Sequence, residues 1–97
     1  MFDFPQKTGF TVYSKSGCND CCKAIMLLND NKQPFLYIDC DDYLIFDRDG
    51  FLDNIRKVAN QDVKMFPMIF LDNKYIGGLK PLLLLVQPKM EKKNIII

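Results

Sequence analysis

Cys18-Asn19-Asp20-Cys21 places two thiols one helical turn apart, with Lys15 three residues upstream of the first. A thiolate is the attacking species in thiol–disulfide exchange, so what matters is how easily Cys18 loses its proton. The elements read below put Cys18 at a helix N-terminus, where unpaired N–H groups and the helix dipole favour an anion. Lys15 adds positive charge, and both lower a thiol pKa. Asp20 works against them, weakly if its side chain points to solvent. Cys21 lies within disulfide reach and can resolve a mixed disulfide formed on Cys18. There is no histidine in the 97 residues. Histidine acid–base catalysis, Ser-His-Asp and Cys-His nucleophile pairs and histidine metal ligands are therefore excluded.

The other two cysteines read less sharply. Cys22 is first an ordinary helix residue beside the pair. Because positions i, i+3 and i+4 share a helix face, it also has an alternative reading, in which it competes for Cys18 or takes up glutathione. Cys40, at the end of a strand, reads as core packing. Asp39, Asp41 and Asp42 read as a solvated loop rather than a calcium or magnesium site.

The length fits one domain, 1–97, with a core of about 9–87 and a tail at 88–97. Hydrophobic residues make up 48% and charged residues 26%, which is ordinary globular composition. A net charge of +1 offers no global field for nucleic acid. The longest apolar run, Leu82–Val86, is far short of the roughly 20 residues that span a bilayer, so no membrane association is expected. Met1-Phe2-Asp3-Phe4-Pro5 does not read as a secretory signal, which makes a cytoplasmic, reducing compartment the expectation. There, cysteines are redox-active or metal-binding more often than structural.

These residues need a scaffold, and the pattern supplies one. Residues 1–8 are a polar lead-in broken by Pro5. Phe10–Tyr13 is a β-prone run, Ser14–Gly17 a loop, and Cys18 to about Asn31 a helix with a wide apolar face. Asn29–Gln33 carries stop signals. Phe35–Ile38 is a second strand, and Asp39–Gly50 fits no element clearly. Phe51, Ile55, Val58 and Ala59 recur at helical spacing and predict a helix over about 51–60. Met68–Leu71 and Lys74–Ile76 form a hairpin across Asp72-Asn73. Gly77-Gly78 breaks the strand, and Pro81 opens a last helix over Leu82–Gln87. Ile95-Ile96-Ile97 reads as a loose end. The order β-α-β-α-β-β-α predicts an α/β fold. Its mixed four-stranded sheet has helices on both faces, and its first two strands are parallel through a right-handed crossover.

Three segments then carry a resemblance that covers about Phe10 to Leu85. Tyr13 to Cys21 resembles the strand, lysine and active-site segment of the glutaredoxin branch of the thioredoxin-fold family. Met65-Phe66-Pro67 resembles its cis-proline segment, and Tyr75-Ile76-Gly77-Gly78 resembles the glycine pair before its last helix. A softer similarity is to glutaredoxins of large DNA viruses. The resemblance implies the thioredoxin/glutaredoxin fold, with Cys18 as nucleophile and Cys21 as resolving thiol. It implies that Lys15 meets the glycyl carboxylate of glutathione and that Phe66 offers its backbone to the cysteinyl part. It also implies a cis Pro67, with Gly78, Leu79 and Lys80 near the γ-glutamyl end. Departures are visible. Asn19-Asp20 replaces the common Pro-Tyr, and Met65-Phe66 replaces Thr-Val. Lys80 stands where an Asp commonly pairs with the γ-glutamyl amine.

The leading expectation is a dithiol glutaredoxin, a glutathione-dependent thiol–disulfide oxidoreductase. It would act as a monomer on disulfide-containing or glutathionylated proteins and need no metal. The alternative rests on Gly78-Leu79-Lys80-Pro81. This run is similar to the Gly-Phe-Arg-Pro of glutaredoxin-like redoxins that draw electrons from thioredoxin reductase and serve ribonucleotide reductase. A Cys₄ zinc module is awkward because Cys21 and Cys22 are adjacent. A shared iron–sulfur cluster with glutathione, and a non-catalytic adaptor, complete the set.

Overall fold

The computed structural model describes residues 2–86. The elements run β1 (Phe10–Ser14), α1 (Asn19–Asp30), β2 (Phe35–Asp39), α2 (Asp41–Ala59), β3 (Met68–Leu71), β4 (Lys74–Gly77) and α3 (Leu79–Leu85). The sheet order is β2-β1-β3-β4. β1 and β2 are parallel, and β1–β3 and β3–β4 are antiparallel. This is the expected mixed four-stranded sheet of the thioredoxin/glutaredoxin fold.

β1 is buried along its whole length because both sheet faces are covered. Successive side chains alternate between the faces. Val12 and Ile69 point to one side and pack with Ala24 and Leu28 of α1 and Leu82 of α3. Tyr13, Met68 and Phe70 point to the other and pack with Phe51, Leu52 and Ile55 of α2. Buried Thr11 is satisfied by its hydroxyl accepting from the Gln6 amide at 2.9 Å.

The termini of α1 follow from local chemistry. Cys18 is its N-cap, in extended conformation. At the other end, Lys32 turns left-handed with φ 56°. The Lys32 amide donates to Asn29 O at 3.0 Å and the Gln33 amide to Leu28 O at 2.9 Å, the bond pair of a Schellman ending. The hairpin between β3 and β4 turns through Asp72 and Asn73, both at positive φ, as a type I′ turn requires.

Two expectations need correction. The stretch 41–50, left without an element, is helical, so α2 is far longer than 51–60. It contains a kink at Asp47 (φ −157°, ψ 68°), whose Oδ1 accepts from the Gly50 amide at 3.1 Å. Asp47 thus caps a second helical piece, and the periodic stripe Phe51, Ile55, Val58 belongs to that piece alone. Ile45 and Phe46 in the first piece are exposed, so no apolar stripe marks it. The last helix starts three residues early, at Leu79, which places Pro81 inside its first turn. Its expected end at Gln87 and the tail 88–97 lie outside the described residues. The lead-in also does more than the sequence suggests. Phe2 packs edge-on against Tyr43 and Phe51, and the Tyr13 hydroxyl donates to Asp3 O at 2.8 Å.

Candidate functional site

The end of β1 delivers the chain to the site. Ser14 O accepts from the Cys40 amide at 2.8 Å, which fixes the end of β1 to the start of α2. The next residues, Lys15 and Ser16, are exposed. Gly17, at φ 75°, makes the turn into α1 that a side chain would resist. Cys18 follows at the N-cap. Its Sγ accepts from the Cys21 amide at 3.1 Å, so an orphan helix donor points at the sulfur. Cys18 and Cys21 are joined as a disulfide with Cα atoms 5.2 Å apart. Cys18 is partly exposed, whereas Cys21 is buried. Asp20 is exposed, which keeps its opposing charge in water.

Across from Cys18 runs the segment 64–67. The Phe66–Pro67 peptide is cis, and the Lys15 ammonium lies 5.6 Å above the Phe66 ring. Two cavities meet at Lys64, Met65 and Phe66. One, of about 230 Å³, holds Lys15, Cys18, Arg48 and Lys64 around an apolar floor that includes Leu44 and Leu52. The other is a groove of about 770 Å³, whose walls include Asp20, Pro67, Tyr75, Gly78, Leu79 and Lys80.

The fold therefore brings Lys15, Cys18 and Phe66 to one cavity, and Phe66, Pro67, Gly78, Leu79 and Lys80 to the other. Cys21 lies beneath as the buried half of the disulfide. Sequence reasoning missed Arg48 and Lys64. Arg48 was hidden in the unassigned acidic stretch, where the Asp47 cap was the available signal. Lys64 lies three residues before Pro67, close enough to the cis-proline segment to have been suspected. Arg48 and Lys80 have no ion-pair partner among the described residues, while Lys64 approaches Asp62 at 3.8 Å.

The remaining cysteines differ from each other. Cys22 is exposed and free. Cys40 is free but fully buried on the α2 side of the sheet. Burial, with nearby Asp39 and Asp3 opposing a further negative charge, pushes its thiol up to about 12. It is closed to exchange at neutral pH. Among the described residues no three cysteine or carboxylate side chains group as a metal site would need.

A model of the glutaredoxin family matches residues 10–76. Among solved structures, the chain is similar to glutaredoxin 1 from Francisella tularensis complexed with cacodylate. The identity is 26% and the TM-score 0.66, covering 90% of this chain and 94% of that one. It is also similar in fold to a buckwheat glutaredoxin–glutathione complex, at 23% identity and TM-score 0.62, covering 89% and 68%. Reduced Escherichia coli glutaredoxin shares the fold at 22% identity and TM-score 0.57, covering 84% and 96%. No curated protein matches the chain by sequence.

Proposed function

The chain belongs to the glutaredoxin family and is a thiol–disulfide oxidoreductase; from that premise we propose that it is a dithiol glutaredoxin reset by glutathione. The observation that carries this reading is the placement of Cys18. Its sulfur sits at a helix N-terminus and opens on a cavity holding three cations, Lys15, Arg48 and Lys64. Helix field and cations both favour a thiolate, and the same cations suit a carboxylate of an incoming peptide. That a buckwheat relative was crystallised with glutathione supports the choice of peptide.

The Cys18 thiolate attacks the sulfur of a glutathione mixed disulfide or a protein disulfide. The departing thiolate leaves with the electron pair, and Cys18 carries the mixed disulfide. Cys21, one turn below, then attacks Cys18 and expels the second sulfur, leaving the Cys18–Cys21 bond. Two glutathione thiols reduce that bond and leave as glutathione disulfide. In a glutathione-bearing pose, Lys15 faces the glycyl carboxylate, and the Phe66 backbone faces the cysteinyl unit. Gly78, Leu79 and Lys80 border the γ-glutamyl end. A reducing cytoplasm rich in glutathione is the setting this cycle requires.

One observation favours a second reading. Lys80 lines the groove with no ion-pair partner among the described residues, where a cation repels the γ-glutamyl ammonium. A redoxin fed by thioredoxin reductase, with a dedicated protein target, has no need to bind that ammonium. The deciding experiment follows NADPH oxidation with a glutathione mixed disulfide as substrate. One arm contains glutathione and glutathione reductase; the other contains thioredoxin reductase. Turnover in the first arm is expected. Turnover confined to the second would replace the glutathione reading with the redoxin reading. Cys18→Ser is expected to abolish turnover in either arm. Cys21→Ser keeps part of the deglutathionylation, which needs Cys18 alone.

A further inference from the structure

Resting on the dithiol reading above, we propose that Cys22 is a second resolving thiol, able to take over from Cys21 by forming a Cys18–Cys22 disulfide. Of the two free cysteines, only Cys22 is exposed, and Cys40 is sealed in the core. Cys22 stands four residues after Cys18, one helical turn along from that N-cap. Its amide closes the first turn by donating to Cys18 O.

Side matters as much as distance. Thiol–disulfide exchange runs with the attacking, central and leaving sulfurs nearly in line. A substrate sulfur on Cys18 leaves into the cavity that Cys18 lines with Lys15 and Phe66, which no residue of α1 lines. Cys22 does not line that cavity, so its thiol can reach Cys18 from a side the leaving group does not occupy.

The first turn can yield the remaining distance. Side chains four apart on a helix have Cβ atoms about 5–6 Å apart, whereas a disulfide holds them at about 3.5–4.5 Å. The bond from the Cys22 amide to Cys18 O is already long at 3.3 Å, against the usual ~2.9–3.0 Å. Cys18 is extended rather than helical, and it follows Gly17, around which a side-chain atom would meet nothing within 4 Å. Cys22 itself is exposed, so movement of its side chain toward Cys18 displaces no buried neighbour of its own. In the step itself, the Cys22 thiol loses its proton to solvent and its sulfur bonds to Cys18 Sγ. The bond from Cys18 to the substrate sulfur breaks, and the substrate leaves as thiolate with the electron pair. One disulfide is exchanged for another, and the two cysteines end oxidised.

The test uses full-length Cys21→Ser and Cys21→Ser/Cys22→Ser proteins, reduced, desalted and treated with equimolar dithiobis-nitrobenzoate under native conditions. Because Cys21 is buried, Cys21→Ala versions run alongside in case the serine disturbs folding. With Cys22 present, chromophore release is expected to double and intact mass to show no retained adduct. The tryptic peptide over residues 16–23 should carry an internal Cys18–Cys22 disulfide, formed at a rate independent of protein concentration. The double variant should release half as much chromophore and keep the adduct on Cys18. A stable adduct on Cys18 in the single variant, in both the serine and alanine versions, overturns the proposal. The glutathione reading fails separately, if the double variant takes up no glutathione from glutathione disulfide.

Discussion

The Ser16 amide donates to Asp41 Oδ1 at 2.8 Å, and the Ser16 hydroxyl donates to the second oxygen of the same carboxylate. The loop that carries Lys15 and leads to Cys18 is thereby tied to the first residue of α2. The tie is charge-assisted, and it explains why the carboxyl of Asp41 is held below its ordinary value. The Ser16 hydroxyl contributes most, then the Ser16 amide, and Lys15 adds to both.

A pH dependence follows. A carboxyl with a depressed folded-state pKa contributes stability that is fully present above its unfolded value. That contribution is lost as the pH falls through the folded one. Asp41→Asn should therefore be less stable than the wild type at neutral pH, with the difference shrinking as the pH drops below the ordinary 3.8. Urea midpoints of the two proteins across an acid series measure it. A gap that stays constant down to the most acidic pH would show that Ser16 and Asp41 do not hold the loop. Activity should respond in the same sense, since a loosened loop moves Lys15 away from Phe66.

On the glutathione reading proposed above, Lys80 opposes the γ-glutamyl ammonium in the groove. Lys80→Asp replaces repulsion by attraction at an exposed position, a swing of about 1 kcal/mol. On the glutathione reading, KM for a glutathione mixed disulfide should fall roughly fivefold with little change in kcat. The effect should weaken at high salt. An unchanged KM would place the γ-glutamyl end elsewhere than beside Lys80.

Cys40 should be silent. Its thiol is pushed up to about 12 and reaches no solvent, so native protein should leave it unlabelled by iodoacetamide at neutral pH. In the fully reduced chain, Cys18 and Cys22 should label readily. Denaturant should expose the remaining thiols. Peptide mapping before and after denaturation checks this, and native labelling of Cys40 would mean that the α2 side of the core opens.

The sheet was legible because each strand announces itself by β-prone runs and each turn by its residue types. Asp72-Asn73 marks the hairpin, and Asn29–Gln33 marks the end of α1. Cys18, Cys21 and Lys15 were legible as candidates because their types are chemically specific, and Pro67 because its segment resembles a family motif. The first piece of α2 was not, for a physical reason. Only Tyr43 and Leu44 of that piece pack against the core while Ile45 and Phe46 stay in water, and polar ties from Asp41 to Ser16 and from the Cys40 amide to Ser14 fix its start. Hydrophobic periodicity sees only helices that bury a stripe. Arg48 was missed because it directly follows the kink at Asp47, inside the stretch 39–50 that carries no clear periodicity.

The glycine pair divides its labour, and substitution should show it. Gly77 sits at φ 122°, and a Cβ there would lie 2.7 Å from the Pro81 ring. Gly78 has a negative φ, −103°, and a Cβ there would meet Pro67 O at an ordinary 3.5 Å. Gly77→Ala should therefore lose stability by roughly 1–3 kcal/mol through strained backbone, with the clash against Pro81 added. Gly78→Ala should fold nearly as well as the wild type and show its effect in KM, because its methyl group intrudes on the groove. Thermal melts and steady-state kinetics on the two variants separate these roles. Equal melting temperatures would mean that β4 and α3 can rearrange around Pro81, and that the tight passage at Gly77 does not set the position of the groove wall.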